Sequence, residues 1–293
     1  MGGTAYSQIN RALSCFDTYV AFRHGVLTAT AYQKWIEREG QVWLSNTLTE
    51  DQINLSARFP RDNEDFVRQG LAQCRALDII PDDKYHEESA QQFLANITSW
   101  NHKDRITHIF PEEALLMFAL VQNTRPRRAA YMGSYYGYWA IAAKMANPDL
   151  EMTLLDIDGS AMELAQENFE RLGLAHGMSF TVDDAEKVAP TLENVDLLIL
   201  GATGPKSDVP EDYRDKAIYY PHLKAGLEIL NPGGLIVVHS VILSNFTGGL
   251  FWEEKQNNYR KQYRKFLGLL NENCVSIVLD STEGTLVARK RAA

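Results

Sequence analysis

The residues of this chain best suited to chemistry are two close glycines ending a short apolar run and an aspartate one strand further on. The run is Ala130-Tyr-Met-Gly133-Ser-Tyr-Tyr-Gly137-Tyr-Trp-Ala140, and Asp156, 23 positions after Gly133, closes Met152-Thr-Leu-Leu-Asp156. A strand that turns sharply into a helix needs glycine where its backbone must approach a ligand, and a carboxylate capping the next parallel strand can accept both hydroxyls of a ribose. The spacing predicts a nucleotide-binding crevice for an adenosine-bearing cofactor.

Gly-x-x-x-Gly alone leaves nicotinamide, flavin and adenosyl-sulfonium ligands open. Dinucleotide sites usually carry three glycines that bring a helix N-terminus against a pyrophosphate, whereas Tyr135 and Tyr136 fill those positions here. A ligand without phosphate fits better. S-adenosyl-L-methionine is one, with a ribose for Asp156 and a sulfonium that the faces of Tyr135, Tyr136, Tyr138 and Trp139 could attract. His239, at the expected mouth of the fifth strand, could draw a proton from an acceptor, and it is expected with Tyr136 at the reaction centre. The plainer reading of His239 is a histidine hydrogen-bonded at a strand end, and of the aromatics, core. Lys206, in the loop 201–213, reads as a solvated lysine or a substrate contact.

These residues need elements to hold them. Up to about residue 105 the pattern is helical, and Phe66, Val67, Leu71, Cys74 and Leu77 give one apolar stripe that needs a packing partner. From Pro111 a helix is expected, opened by proline at its first turn and by Glu112 and Glu113 near the positive dipole end. Beyond Arg128 short β runs alternate with amphipathic helices, the pattern of a parallel sheet covered on both faces. Strands are expected near 128–132, 151–156, 178–182, 195–200 and 234–241, with Cys274–Leu279 and Thr285–Ala288 as an antiparallel edge pair. Ser160 and Glu163 read as a capping box, and Gly173 as the stop of that helix. The expected division is a helical lid or dimerisation region, 1–105, and a Rossmann-like cofactor-binding domain, 106–293.

Composition narrows the partners. At 293 residues and 45% hydrophobic content the chain can bury a large core, and a net charge of -9 disfavours nucleic acid and anionic membrane surfaces. The basic clusters Arg125, Arg127, Arg128 and Lys255 to Lys265 therefore read as solvated faces. No run approaches the roughly 18 apolar residues of a membrane span. Cys15, Cys74 and Cys274 suggest neither a disulfide framework nor a zinc knuckle, so a reduced cytoplasm is expected. The sequons at Asn54, Asn96 and Asn245 then count as chance matches. A small-molecule substrate and a homodimer, formed through the unpaired helical stripes, are expected.

Phe110-Pro-Glu-Glu-Ala-Leu-Leu, Gly133-Ser-Tyr-Tyr-Gly-Tyr138, Leu154-Leu-Asp-Ile-Asp158, Asp184-Ala185, Leu230-Asn-Pro-Gly-Gly-Leu-Ile-Val-Val238 and Glu283-Gly-Thr-Leu-Val-Ala-Arg289 follow one another in order. In this the chain resembles the class I S-adenosylmethionine-dependent methyltransferases, most closely the catechol and caffeoyl-CoA O-methyltransferase family. The resemblance implies an α/β, Rossmann-like seven-stranded sheet with its last strand antiparallel, and a cofactor across the carboxyl ends of the first, second and fourth strands. It implies that Gly133, Ser134, Tyr135 and Gly137 line the methionine half, that Asp156 takes the ribose and that Asp184 and Ala185 border adenine. Tyr138, Ile157 and Gly201 complete the expected cofactor set.

The departures matter too. The family's metal-holding Asp and Asp-Asn pair are replaced by Gly201-Ala-Thr-Gly204 and His239-Ser240, which do not offer a hard cation its charged oxygens. No catalytic metal is expected. Tyr131 and Trp139 replace a Glu and a Ser that help hold the cofactor's amino acid end. The expected function is metal-independent methyl transfer to a small-molecule hydroxyl, carboxylate or amine. The alternatives are an enzyme that closes the cofactor's aminobutyryl group into a ring, releasing methylthioadenosine, and a non-catalytic cofactor-binding protein.

Overall fold

The structure, a computed structural model, describes residues 3–242 and 257–292. Asn245 and Lys255 lie outside the described residues. Seven strands form one sheet: β1 Arg128–Met132, β2 Glu151–Asp156, β3 Met178–Val182, β4 Val195–Leu200, β5 Leu230–Val238, β6 Cys274–Leu279 and β7 Thr285–Lys290. Their spatial order is β3-β2-β1-β4-β5-β7-β6. The first five are parallel, and β7 runs antiparallel to both β5 and β6. The expected α/β sheet with an antiparallel last strand is the one observed.

Alternation along each strand sorts the side chains between two cores. On β1, Ala129 and Tyr131 join a cluster with the helices Asn63–Ala76, Glu87–Ile97, Pro111–Thr124, Tyr138–Ala146 and Gly159–Arg171. Ala130 and Met132 face the other way, toward Tyr219 and Leu223 of the helix Tyr219–Ile229 and Phe266 and Leu270 of the helix Arg264–Asn273. A third cluster gathers Ala5 to Phe59 with Phe110 and Ile242. The stripe on Asn63–Ala76 thus finds its partner in Pro111–Thr124 beneath the sheet, except that Leu77 is 42% exposed just past the helix end.

Register decides where the chemistry sits. Met132 pairs with Leu155 and with Leu200, and Leu200 pairs with Val238. The residues just beyond these, from Gly133, Asp156, Gly201 and His239 onward, therefore emerge along one edge. Sheet order reverses between β1 and β4, the point at which open α/β sheets bind ligands.

Three local expectations are corrected. The fifth strand begins at Leu230 rather than 234, because Val195 pairs with Leu230 and the register then shifts to Leu197 with Leu235. The Asn-Pro-Gly-Gly stretch is absorbed as an irregularity inside the strand, Gly233 taking φ +77°. The strand also ends at Val238, and Ser240 turns the chain with φ 56°. The helix Gly159–Arg171 is capped by Asp158, whose side chain accepts from the Ala161 N–H at 3.0 Å, rather than by Ser160. Ser160 instead donates to Asp158 Oδ1 at 2.7 Å.

Candidate active site

The turn after β1 is built around Asp156. Its Oδ2 accepts the Tyr135 N–H at 2.6 Å and its Oδ1 the Asp158 N–H at 3.0 Å, while the Gly133 and Ser134 N–H groups donate to Leu155 O at 2.9 and 3.1 Å. Gly133, Tyr135 and Gly137 all have positive φ, 72°, 50° and 75°. A Cβ on Gly133 would lie 2.4 Å from the Ala202 Cα, and one on Gly201 would lie 2.9 Å from Gly133 O. Glycine is therefore required at both positions by the close approach of the loops after β1 and β4, beside any role toward a ligand.

Beside this contact, at the carboxyl ends of β1 to β4, lies a cavity of about 440 Å³. Gly133, Asp156, Ile157, Asp184 and Ala185 of the expected set line it, together with Thr203, Pro205, Val209, Tyr213 and His222. Ile157 is 77% exposed at the rim. Asp184 caps the helix Ala185–Val188 by accepting the Glu186 N–H at 3.0 Å. Burial holds the His222 imidazole down to about 4, so it is neutral near pH 7. The lysine that braces the loop is Lys216, donating to Ala202 O at 3.2 Å, Thr203 Oγ1 at 2.9 Å and Tyr219 Oη at 3.1 Å, whereas Lys206 is exposed. A larger cleft, about 890 Å³, opens among Arg125, Arg127, Arg128, Gly233 and Arg289 at the opposite end of the strands. Open parallel sheets bind ligands at their carboxyl ends, so the smaller cavity is the candidate.

The other expected residues do not line this cavity. Ser134 is buried with its Oγ 3.4 Å from Met162 Sδ. The Tyr136 hydroxyl lies 2.7 Å from His102 Nδ1 inside the core, and burial pushes its phenol up. Tyr138 packs edge-on to Trp100, and Trp139 Nε1–H donates to Glu113 O at 2.9 Å. Tyr135 is 37% exposed, but the Arg105 guanidinium, paired with Asp158 at 2.9 Å, stands 4.9 Å above its ring. Three of the four aromatics are core, and the fourth already faces a cation. Tyr138 and Trp139 are drawn into the core because the first turn of Tyr138–Ala146 packs beneath the sheet. Gly137 and Gly201 serve packing: a Cβ on Gly137 would lie 3.0 Å from Leu154 Cδ2.

His239 lies in a buried polar network that the sequence did not announce. Its Nε2 is 3.3 Å from Glu113 Oε2, its Nδ1 is 3.2 Å from Ser240 Oγ, and Ser240 Oγ donates to Glu283 Oε2 at 3.1 Å. Glu113 Oε1 accepts from Ser281 Oγ at 2.7 Å and the Glu283 N–H at 3.1 Å. The adjacent Glu112 accepts from the Thr282 N–H at 3.0 Å and Oγ1 at 2.5 Å. Burial alone would raise Glu113, but His239 first, then the Phe110 N–H and Ser281, outweigh it and hold the carboxyl below its ordinary range. Burial, then the Glu113 charge, push Glu112 up to about 7 despite Thr282. The Pro-Glu-Glu signal predicts a dipole complement; only the β6–β7 turn packed onto it shows the second role.

Among the described residues no three His, Cys, Asp or Glu side chains converge as a metal site, and no helix is long and apolar enough to cross a membrane. Residues 84–280 match the sequence profile of a family described as O-methyltransferase. Among solved structures the chain is similar to the O-methyltransferase TomG from Streptomyces achromogenes, involved in tomaymycin synthesis and solved in complex with SAM. That match has 20% identity over 71% of this chain and 92% of the other, with TM-score 0.51. It is also similar to the SAH-bound methyltransferase PaMTH1 of Podospora anserina, at 19% identity over 71% of this chain and 89% of the other, with TM-score 0.51. At these identities the likeness is one of fold.

Proposed function

This chain belongs to the O-methyltransferase family, and from that membership we propose that it transfers a methyl group from S-adenosyl-L-methionine to a small-molecule hydroxyl, carboxylate or amine without a divalent cation. The family favours oxygen as the acceptor atom. The observation that carries the reading is the cavity at the carboxyl ends of β1 to β4, with Asp156 on its wall. When bound, the cofactor supplies a methyl on sulfur, which the acceptor's lone pair takes in line as the carbon–sulfur bond breaks, leaving S-adenosylhomocysteine.

The residues fit such a ligand. A carboxylate offers about four acceptor sites, and the turn uses two of those on Asp156, leaving capacity for ribose hydroxyls. Val209, Pro205, Tyr213 and Ile218 give apolar surface for a flat base, next to Asp184 and Ala185. The turns after β4 and β5 present Gly201, Thr203 and Ser240 where a cation would need carboxylates, and both His239 nitrogens are committed to Glu113 and Ser240. His239 is accordingly proposed as a positioning residue, and no side chain is assigned to take the acceptor's proton. Alignment of acceptor and methyl, with water excluded, supplies the rate. We further propose that, within residues 1–105, the cluster from Ala5 to Phe59 contributes a lid and a homodimer contact, supported by Val42 and Trp43, which are 66% and 65% exposed, and that the protein works in the cytoplasm.

The test is incubation of the purified chain with S-adenosylmethionine, alone and with panels of phenols, carboxylic acids and amines, in the presence of a chelator. The expected product is S-adenosylhomocysteine, formed only with an acceptor. Methylthioadenosine formed without one would replace this reading with ring closure.

A further inference from the structure

His222 is buried to 5% exposure in the first turn of Tyr219–Ile229. It lines the same cavity as Asp156 and as Asp184 and Ala185 at the start of the short helix Ala185–Val188. Nδ1 is sealed from solvent without a hydrogen-bond partner, and Nε2 meets no polar partner among the described residues either. That is unusual, because the large majority of buried side-chain polar atoms in folded proteins are hydrogen-bonded. A leucine or phenylalanine would fill the position without an unpaired nitrogen, so packing alone does not account for an imidazole here.

Nδ1 is shut off from any ligand, so the nitrogen left to satisfy is Nε2, and the surroundings specify what would do so. Ala185, Val209, Pro210, Tyr213 and Ile218 offer apolar surface to a planar ring, and Asp183 and Asp184 stand beside them. Being neutral, the imidazole carries one N–H and one lone pair, and a purine edge likewise alternates amino groups and bare ring nitrogens. We propose that His222 recognises the base of the nucleoside cofactor, its Nε2 forming a hydrogen bond with the edge of the purine ring. The proposal rests on the cavity's being the cofactor site and adds the residue that reads the base. Tyr219-Tyr-Pro-His222 matches none of the motifs that flag the other contacts.

The experiment is calorimetric titration of the full chain with S-adenosylhomocysteine, using the unmodified protein, His222→Phe and His222→Gln. Phenylalanine keeps a packed ring and removes both nitrogens, so binding should weaken about 10-fold, and glutamine, which can still donate and accept, should recover part of the loss. Should either variant fold poorly, long-range ¹⁵N–¹H spectra of the unmodified chain decide. The His222 nitrogens should shift when S-adenosylhomocysteine is added. Equal affinity in His222→Phe, or His222 nitrogens that stay still while the ligand binds, overturns the assignment. If the unmodified chain does not bind S-adenosylhomocysteine at all, the reading of the cavity falls, and this inference with it.

Discussion

Two adjacent glutamates at 1% and 0% exposure can share a core only if their environments separate their charges. Glu113 faces His239, the Phe110 N–H and Ser281 and is held ionised; Glu112 is pushed up from 4.5 to about 7 by burial first and the Glu113 charge second, which outweigh Thr282 and the Glu112 backbone N–H. The folded chain therefore keeps a proton on Glu112 that the unfolded chain releases near its ordinary value. Its contribution to stability is complete below pH 4.5 and is lost as pH rises through 7, while Glu113, shifted the other way, loses its contribution only as pH falls. Glu112→Gln keeps an oxygen for Thr282 and cannot ionise. Relative to that variant, the unmodified protein should lose roughly 1–3 kcal/mol between pH 5 and pH 8, measured by urea denaturation across that range. Parallel profiles would mean that Glu112 is charged or neutral throughout. Sequence could place both glutamates on the first turn of a helix, but the residues that divide them, Ser281 to Glu283, arrive from about 170 positions away.

At the scale of elements the sheet was legible because its inner strands are short, continuous apolar runs between amphipathic helices. β1 to β4 begin and end where the β runs predicted, and the aligned register then carries Gly133, Asp156 and Gly201 to one edge. What was not legible depends on contacts between loops. Gly133 suggested an approach to ligand, yet its φ of +72° and the 2.4 Å that a Cβ would leave to Ala202 show two loops in contact. Gly133→Ala must distort the turn or part the loops, and the left-handed backbone adds its own penalty, so a loss of roughly 2–5 kcal/mol is expected. The melting temperature should fall, and S-adenosylhomocysteine binding should fall with it, because the same glycine lines the cavity. A variant that melts like the unmodified chain would show that the two loops separate freely and do not shape the site.

Over the whole molecule, the helical character of the first hundred residues was plain, but its division was not. The helices Asn63–Ala76 and Glu87–Ile97 belong to the core beneath the sheet, while Ala5 to Phe59 build a cluster of their own that meets the rest through Phe110 and Ile242. Periodicity identifies an apolar face without saying which neighbour covers it. Arg58 stands at this junction with its side chain 2% exposed. Its Nε–H donates to Thr282 O at 2.8 Å, its Nη2 donates to Ser281 O at 2.9 Å, and the guanidinium pairs with the largely exposed Asp280. The turn that Arg58 grips is the one that holds Glu112 and Glu113, so the N-terminal cluster and the buried acidic network share an anchor. Arg58→Ala leaves the two carbonyls without that donor. Because Asp280 is mostly in water, the main loss comes from those carbonyls, roughly 1–3 kcal/mol. Limited proteolysis should then cut residues 3–59 sooner than in the unmodified chain, while the fragment from the helix Asn63–Ala76 onward persists. If both parts were cut faster in equal measure, the N-terminal cluster would be integral to the sheet's stability rather than pinned to it at Arg58, and its proposed role as a separable lid would be lost.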